Sequence, residues 1–467
     1  MRSVCARTGP SRQQMVDKFA VVALHVERLD MDTTPASPKS DASTAHQPDF
    51  YLACHCDVRG WGGGLAFAVG LQQAWRQMGY HAPILGIGDD GAPGTSDPRS
   101  ERINLNSGIA AHWWRIRSWL LPRGLSKHLR DLPPPRFAFV TVSPTWVLAA
   151  QHAWPDKPVI LVFACLLANC LPFTWLHRRA PSLWTWLDFL GLRRIEKRAL
   201  TSADLVLAPT QQSVDEIDGF VGRTALPLER CDYGVCPVAA AAEERVSSRR
   251  AIGAQADSFV IALIGHCDRN KSFDLAIRAL GDVDRCGRLL IVGDGPELEA
   301  LRALASAEGV ANRITFTGGQ RQMAPWYAAA DAVLSTSFYD TFPNVLLEGM
   351  ALGLPIIAPQ HDPPRVYSGM AEVLRAEACG LLYCRSEPAS LSAALNRLIS
   401  DRRLASDLGE RGRRAVQQRF QWSTAAARIL RHCGLEPQGT SMRPAADSTR
   451  PHSHFGRSGA YQSERKP

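Results

Sequence analysis

Residues 331–359 read DAVLSTSFYDTFPNVLLEGMALGLPIIAP. A short apolar run from Ala332 to Leu334 leads into a loop of small residues. A segment with helical period follows, and then a second apolar run from Ile356 to Ala358. That order predicts a strand, a turn, a helix and a strand. Pro343 and Asn344 stand where the helix opens, a position that tolerates proline because the missing N–H is one that the helix leaves unpaired. Asp340 lies in the loop, and Glu348 comes eight positions later on the helix. Both are placed to face a ligand at the helix N-terminus, where unpaired N–H groups and the helix dipole favour an anion such as phosphate.

The same pattern extends upstream. Strands are predicted at residues 259–265, 288–295 and 313–319, alternating with helical segments at 272–280, 296–309 and 322–330. Leu298, Leu301, Leu304 and Ala305 share one helical face. Repeated βα steps specify a doubly wound parallel sheet, whose ligand site lies at the carboxyl ends of its strands. Gly265, His266 and Lys271 fall at such an end, with Lys271 expected to open the next helix.

The run Asp340-x7-Glu348, with Phe342-Pro343-Asn344-Val345 inside it and Gly349-Met350-Ala351-x-Gly353-x-Pro355 after it, resembles the Glu-x7-Glu signature of glycosyltransferase family 4. Members of that family are retaining enzymes of the GT-B fold, in which two Rossmann-like domains face each other across a cleft. The resemblance implies an α/β chain that moves a hexose from a nucleotide diphosphate sugar to a glycan or lipid-linked acceptor, as in polysaccharide biosynthesis, with no metal and no cofactor. In the family a glycine-arginine-x4-lysine segment holds the donor diphosphate, the second glutamate grips the ribose and the first contacts the sugar. Carried over, Lys271 and Asp340 are the catalytic positions. Gly265, His266, Pro343, Asn344, Val345 and Glu348 complete the donor site. The sequence departs from the family at His266 in place of arginine, at Asp340 in place of glutamate, and at Ala164 or Cys165 where many members have a histidine. A degenerate nucleotide-sugar binder and a peripheral membrane scaffold are the alternative readings.

The first half is predicted to repeat the architecture more loosely. A strand at 50–54 is followed by Gly60-Trp61-Gly62-Gly63-Gly64, a helix ending near Gly79, and a strand at 81–88. A glycine-rich first turn lets backbone approach a phosphate or sugar, so Gly62, Gly63 and Gly64 are expected to form an acceptor or phosphate loop. Further strands are predicted at 137–142, 159–163 and 205–208. Ala203-Asp204, Thr210 to Ser213 and Asp232-Tyr233-Gly234-Val235 also resemble family patterns. The expected organisation is a disordered leader (1–48), an acceptor-side domain (49–237), a linker (238–250), a nucleotide-sugar-binding domain (251–432) and a disordered tail (433–467).

At 467 residues the chain exceeds one core, and 45% hydrophobic with 21% charged residues indicates a globular protein. Its net charge of +8 is unevenly placed. Eight basic residues against two acids lie between Arg99 and Arg136, and ten of the twelve tryptophans precede residue 200. Basic residues interleaved with Trp113, Trp114, Trp119, Trp184 and Trp186 suit an anionic membrane surface rather than a nucleic acid. Pro122 and Gly124 are expected to break the first of these segments. The uncharged stretch 158–176 contains Asn169 and Pro172 and reads as a buried strand running into a loop. Twelve cysteines without a secretory leader suggest a reducing cytoplasm, with peripheral placement on the inner face of the membrane. Cys54-His55-Cys56 and three Cys-x4-Cys pairs lack the paired knuckles of a zinc site, so no metal is expected.

Overall fold

Alternating buried strands and amphipathic helices form two parallel sheets in the computed structural model, which describes residues 47–54, 63–88, 102–106, 121–163, 165–166, 183–222, 226–235, 242–255 and 257–436. These residues belong to one compact unit that begins at Gln47. The first sheet comprises β1 (Phe50–Ala53), β2 (Ile84–Gly88), β3 (Arg102–Asn106), β4 (Ala138–Thr141), β5 (Val159–Val162), β6 (Leu205–Ala208) and β7 (Leu228–Arg230). Its order is β3-β2-β1-β4-β5-β6-β7. The second comprises β8 (Phe259–Ile264), β9 (Gly287–Val292), β10 (Ile314–Gly318), β11 (Ala332–Leu334), β13 (Ile356–Pro359) and β15 (Gly380–Tyr383), in the order β10-β9-β8-β11-β13-β15. A two-stranded ribbon pairs β12 (Tyr339–Asp340) with β14 (Tyr367–Ser368).

In both large sheets the order reverses beside the first strand, between β1 and β4 and between β8 and β11. Loops diverge there and leave a crevice at the strand ends. Helices cover both faces at the centre of each sheet, and there β1, β4, β5, β6, β8, β11 and β13 are buried at every residue. The helix Asn344–Ala351 shows how closely the layers meet. Leu346, Leu347 and Met350 are buried, each contributing about 1.5–3 kcal/mol. A Cβ at Gly349 would lie 2.7 Å from Val333 Cγ2, so only glycine lets the helix rest on β11.

Several expectations are corrected. The segment read as a linker contains the helix Ala242–Ala251, whose Arg245 and Arg249 form ion pairs with Asp331 at 2.5 and 2.8 Å. Its Ala, Glu and Arg residues are good helix formers, and Asp331 supplies the counter-charge that holds the arginines against the second domain. The helix Trp422–His432, assigned by sequence to the second domain, returns to the first sheet. Ala425, Ala426, Ile429 and Leu430 join the core with Leu71 and Trp75, because this apolar stripe has its complement on the helix Gly63–Gln77. Residues 433–436 of the expected tail continue that contact, with Leu435 N–H bonded to the Leu430 carbonyl at 2.9 Å. The helix Leu121–Arg130 runs through Pro122 and Gly124, since a proline in the first turn costs no hydrogen bond. Strands β3, β7 and β15 were not anticipated.

The uncharged stretch contributes β5, and among the described residues no helix is long and apolar enough to cross a membrane. Residues 1–46 of the expected leader, Gly62, Ala164, Trp113, Trp114 and Trp119 lie outside the described residues, whereas Pro48, expected in the leader, is buried and its carbonyl accepts the Arg136 N–H at 2.7 Å.

Candidate active site between two sheets

The second-domain wall starts where β8 ends. Gly265 has φ of +148°, a region closed to side chains, and a Cβ on Gly293 would lie 1.8 Å from the Gly265 carbonyl oxygen. The two glycines let the ends of β8 and β9 meet and turn the following loop over the sheet edge. There Asp268 Oδ1 accepts the Lys271 N–H at 2.9 Å, and Ser272 adopts a left-handed φ of +51°. The next helix therefore begins at Asp274, and Lys271 sits in the turn before it rather than at its first position. Lys271 Nζ donates to Asp340 Oδ2 at 2.6 Å, with the two side chains 24% and 20% exposed.

Asp340 is held by its neighbours. Asn270 Nδ2 donates to the Tyr339 carbonyl at 2.9 Å, and the Tyr339 N–H returns to Asn270 Oδ1 at 3.0 Å. Thr336 Oγ1 donates to the Lys271 carbonyl at 2.6 Å. Arg385, just past β15, bonds Ser272 Oγ at 2.6 Å and the Thr336 carbonyl, and its guanidinium stacks 3.6 Å over Phe338. Asn270 and Arg385 were missed by the sequence reading. A loop asparagine carries no distinctive spacing, and Arg385 becomes relevant only when the sixth strand delivers it.

A cavity of about 350 Å³ opens between the walls. From the second domain it is lined by the anticipated Gly265, Lys271, Asp340, Pro343, Asn344 and Val345, and also by Ile264, Asn270, Tyr339, Thr341 and Phe342, which the sequence reading did not assign to the site. The N-cap of the helix that starts at Asn344 is Pro343, whose side chain offers no acceptor, and the N-terminus of the helix dipole faces the cavity, where it favours an anion. Gly64 lines the cavity from the first domain, and Gly63 is the first residue of its helix. The rest of that wall is Phe67, Val142, Val162, Phe163, Cys165 and Tyr233, with Trp422 from the returning helix. Cys165, one of the two positions at which the resemblance implies a histidine, thus lines the cleft.

His266 and Glu348 do not line the cavity. His266 is exposed on the loop. Glu348 sits one turn deeper on its helix, where its Oε2 accepts the Tyr327 hydroxyl at 2.6 Å. Burial lifts the Glu348 carboxyl above the ordinary glutamate range, with the Tyr327 bond working the other way.

Among the described residues no group of three or more His, Cys, Asp or Glu side chains is arranged to hold a metal ion. His55, Cys56, Cys170 and Cys236 of the cysteine motifs lie outside the described residues. Burial pushes the Cys231 and Cys379 thiols up to about 12, away from the thiolate a metal would need. His152, on a helix of the first domain, bonds the Leu148 carbonyl one turn back at 2.8 Å.

Residues 258–401 match the family described as Glycosyl transferases group 1. A D-inositol 3-phosphate glycosyltransferase from Xylanimonas cellulosilytica is 27% identical over 262 residues, covering 54% of this chain and 60% of that protein. The lipopolysaccharide core biosynthesis glycosyltransferase LpsD of Rhizobium meliloti is 33% identical over 165 residues, or 35% of this chain and 46% of that one. The chain thus spans about half the length of the curated relatives it matches. Among solved structures, sucrose-phosphate synthase from Thermosynechococcus elongatus superposes with a TM-score of 0.66 at 20% identity, covering 82% of this chain and 97% of that one. Anabaena HepE in complex with UDP and glucose gives 0.63 at 18% identity, covering 83% and 100%. The chain therefore has the GT-B fold, and its residues 258–401 carry the sequence match to the group 1 glycosyltransferases.

Proposed function

We propose that the protein is a hexosyltransferase that moves a sugar from a nucleotide diphosphate donor to a glycan or lipid-linked acceptor. The observation that carries this reading is the Lys271–Asp340 pair beside the N-terminus of the helix at Asn344, at the carboxyl edge of a sheet that faces a second sheet. Cleaving the bond between the anomeric carbon and the diphosphate leaves negative charge on the departing nucleoside diphosphate. An ammonium and a helix N-terminus stabilise that charge in place, so no metal is required. Asp340, exchanging its bond with Lys271 for bonds to sugar hydroxyls, orients the ring. Glu348 is assigned to the ribose, which requires it to turn from Tyr327 when donor binds. Retention of configuration follows from the family resemblance. The relatives that act on D-inositol 3-phosphate or lipopolysaccharide core, and HepE with bound UDP and glucose, support a nucleotide sugar donor and a glycan-type acceptor.

The test is thermal unfolding against UDP, GDP and their sugars. A nucleotide at a hundredfold its dissociation constant stabilises the folded chain by about 2.7 kcal/mol. Stabilisation by the nucleotide without sugar turnover would favour the degenerate binder, and no response to any of them would overturn the donor site.

Contact with an anionic membrane belongs to the same proposal. On the helix Leu121–Arg130, Leu125 and Leu129 face the core while Arg123, Lys127 and Arg130 are exposed, and Arg194, Lys197 and Arg198 are exposed on the helix Leu183–Ser202. Sedimentation with anionic liposomes should fall steeply between low and high salt. Salt-insensitive or absent binding rules the contact out.

A further inference from the structure

Tyr339 immediately precedes Asp340, yet its side chain leaves the second domain. Its hydroxyl donates to Glu216 Oε1 at 2.8 Å and accepts the Leu166 N–H at 2.9 Å. Glu216 lies on the helix Gln211–Val221 and Leu166 follows β5, so both partners belong to the first domain. The tyrosine is 3% exposed, and burial, then the Glu216 charge, pushes its hydroxyl far above the ordinary tyrosine range. It therefore stays protonated and remains a donor to the carboxylate.

The backbone of the same residue is fixed on the opposite side. Asn270 bonds both its N–H and its carbonyl, and Asn270 directly precedes Lys271. Tyr339 is thus held by its side chain to one domain and by its main chain to the other. It also stands between two cavities: it lines the cleft, while its contacts Glu216 and Tyr367 line a second cavity of about 400 Å³ at the same domain boundary.

We infer that Tyr339 and Glu216 are positioning residues of the donor site, holding Asp340 opposite Lys271 through a bond that exists only while the first domain is docked. This rests on the reading of Asp340 as a donor contact. It makes a residue of the acceptor-side domain part of the donor site's geometry. A tyrosine serving only as packing would need neither the carboxylate nor the N–H from the other domain.

Hydrogen exchange on the full chain tests the inference. Glu216→Ala, changed in the first domain, should speed exchange in residues 335–343 of the second by on the order of tenfold, as expected for losing a bond to a charged group. Tyr339→Phe should do the same, and the double variant should be no faster than either single one. Glu216→Gln, which keeps a carbonyl acceptor, should restore most of the protection. If Glu216→Ala alters exchange only within 211–221, the positioning role is overturned. Calorimetry of the wild type with UDP and GDP separates the two claims: binding of neither overturns the donor-site reading itself, whatever the exchange shows.

Discussion

The two walls of the cleft share a topology and differ in chemistry. Both are the carboxyl edges of parallel sheets whose order reverses beside the first strand. The second-domain wall presents an ion pair, a helix N-terminus and a loop tied down by Asn270 and Arg385. The first-domain wall presents Phe67, Val142, Val162 and Phe163. A diphosphate needs fixed opposite charge, because leaving an ionised group unpaired in a cleft is costly. Among the described residues that line the cleft, the fixed positive charge is Lys271, on the second wall. The apolar wall suits the face of a sugar ring or the stem of a lipid-linked acceptor, which bind by area rather than by charge. On the proposed function, one sheet design serves two substrates through different chemistry at the ends of its strands.

The largest effect should come from removing the charge on the polar wall. Lys271→Ala should lower the rate of nucleoside diphosphate release from donor by about 10²–10³-fold, the usual consequence of losing one group that stabilises transition-state charge. The pair is 24% and 20% exposed, between the surface case that contributes about 0–1 kcal/mol and the buried case in which removing one partner costs about 3–5 kcal/mol, so the rate is compared in a variant whose melting shows it folded. Val142→Ala on the facing wall should leave nucleotide affinity unchanged. If the two variants behave alike in donor turnover, the division of labour between the walls is wrong.

The asymmetry also governs what could be read from the sequence. In the second sheet β8, β11 and β13 are buried at every residue, and most of its strands announce themselves as short apolar runs between turn residues, so the fold and the positions of Gly265, Lys271, Asp340 and Asn344 were legible from spacing and resemblance. The exceptions are physical. Gly380–Tyr383 is bracketed by cysteines that drew attention as a motif and hid a strand. Arg102–Asn106 is a strand within a basic segment, where charge obscured the alternation of Ile103 and Leu105. The helix Trp422–His432 has a clear apolar stripe, but a stripe does not say which sheet it will meet. On the first wall the lining residues are ordinary core types, and nothing in a single sequence distinguishes a valine facing a cleft from one facing a helix. Glu348 was legible as a carboxylate at helical spacing, whereas its partner Tyr327 comes from a helix 21 residues earlier.

Glu348 gives the smaller and more discriminating test, because its two readings predict opposite signs. Its folded-state carboxyl lies above the ordinary glutamate range, chiefly through burial. A carboxyl raised in this way favours the folded state below its unfolded pKa, and that contribution is lost as the pH rises through the folded value. At pH 7 the wild type therefore carries a charge that its surroundings disfavour, and near pH 4 it does not. Glu348→Gln removes the charge while keeping an acceptor for the Tyr327 hydroxyl. The variant should melt above the wild type at pH 7, and the difference should shrink toward zero as the pH is lowered to 4. Binding should move the other way. A neutral amide replaces a charge-assisted contact to the ribose, weakening nucleoside diphosphate affinity by about 1–2 kcal/mol in calorimetry at pH 7. Stability gained with affinity lost is the mark of a residue kept charged for its ligand. A variant that is less stable at pH 7 and binds nucleotide as well as the wild type would make Glu348 a structural partner of Tyr327 and leave the ribose to other groups.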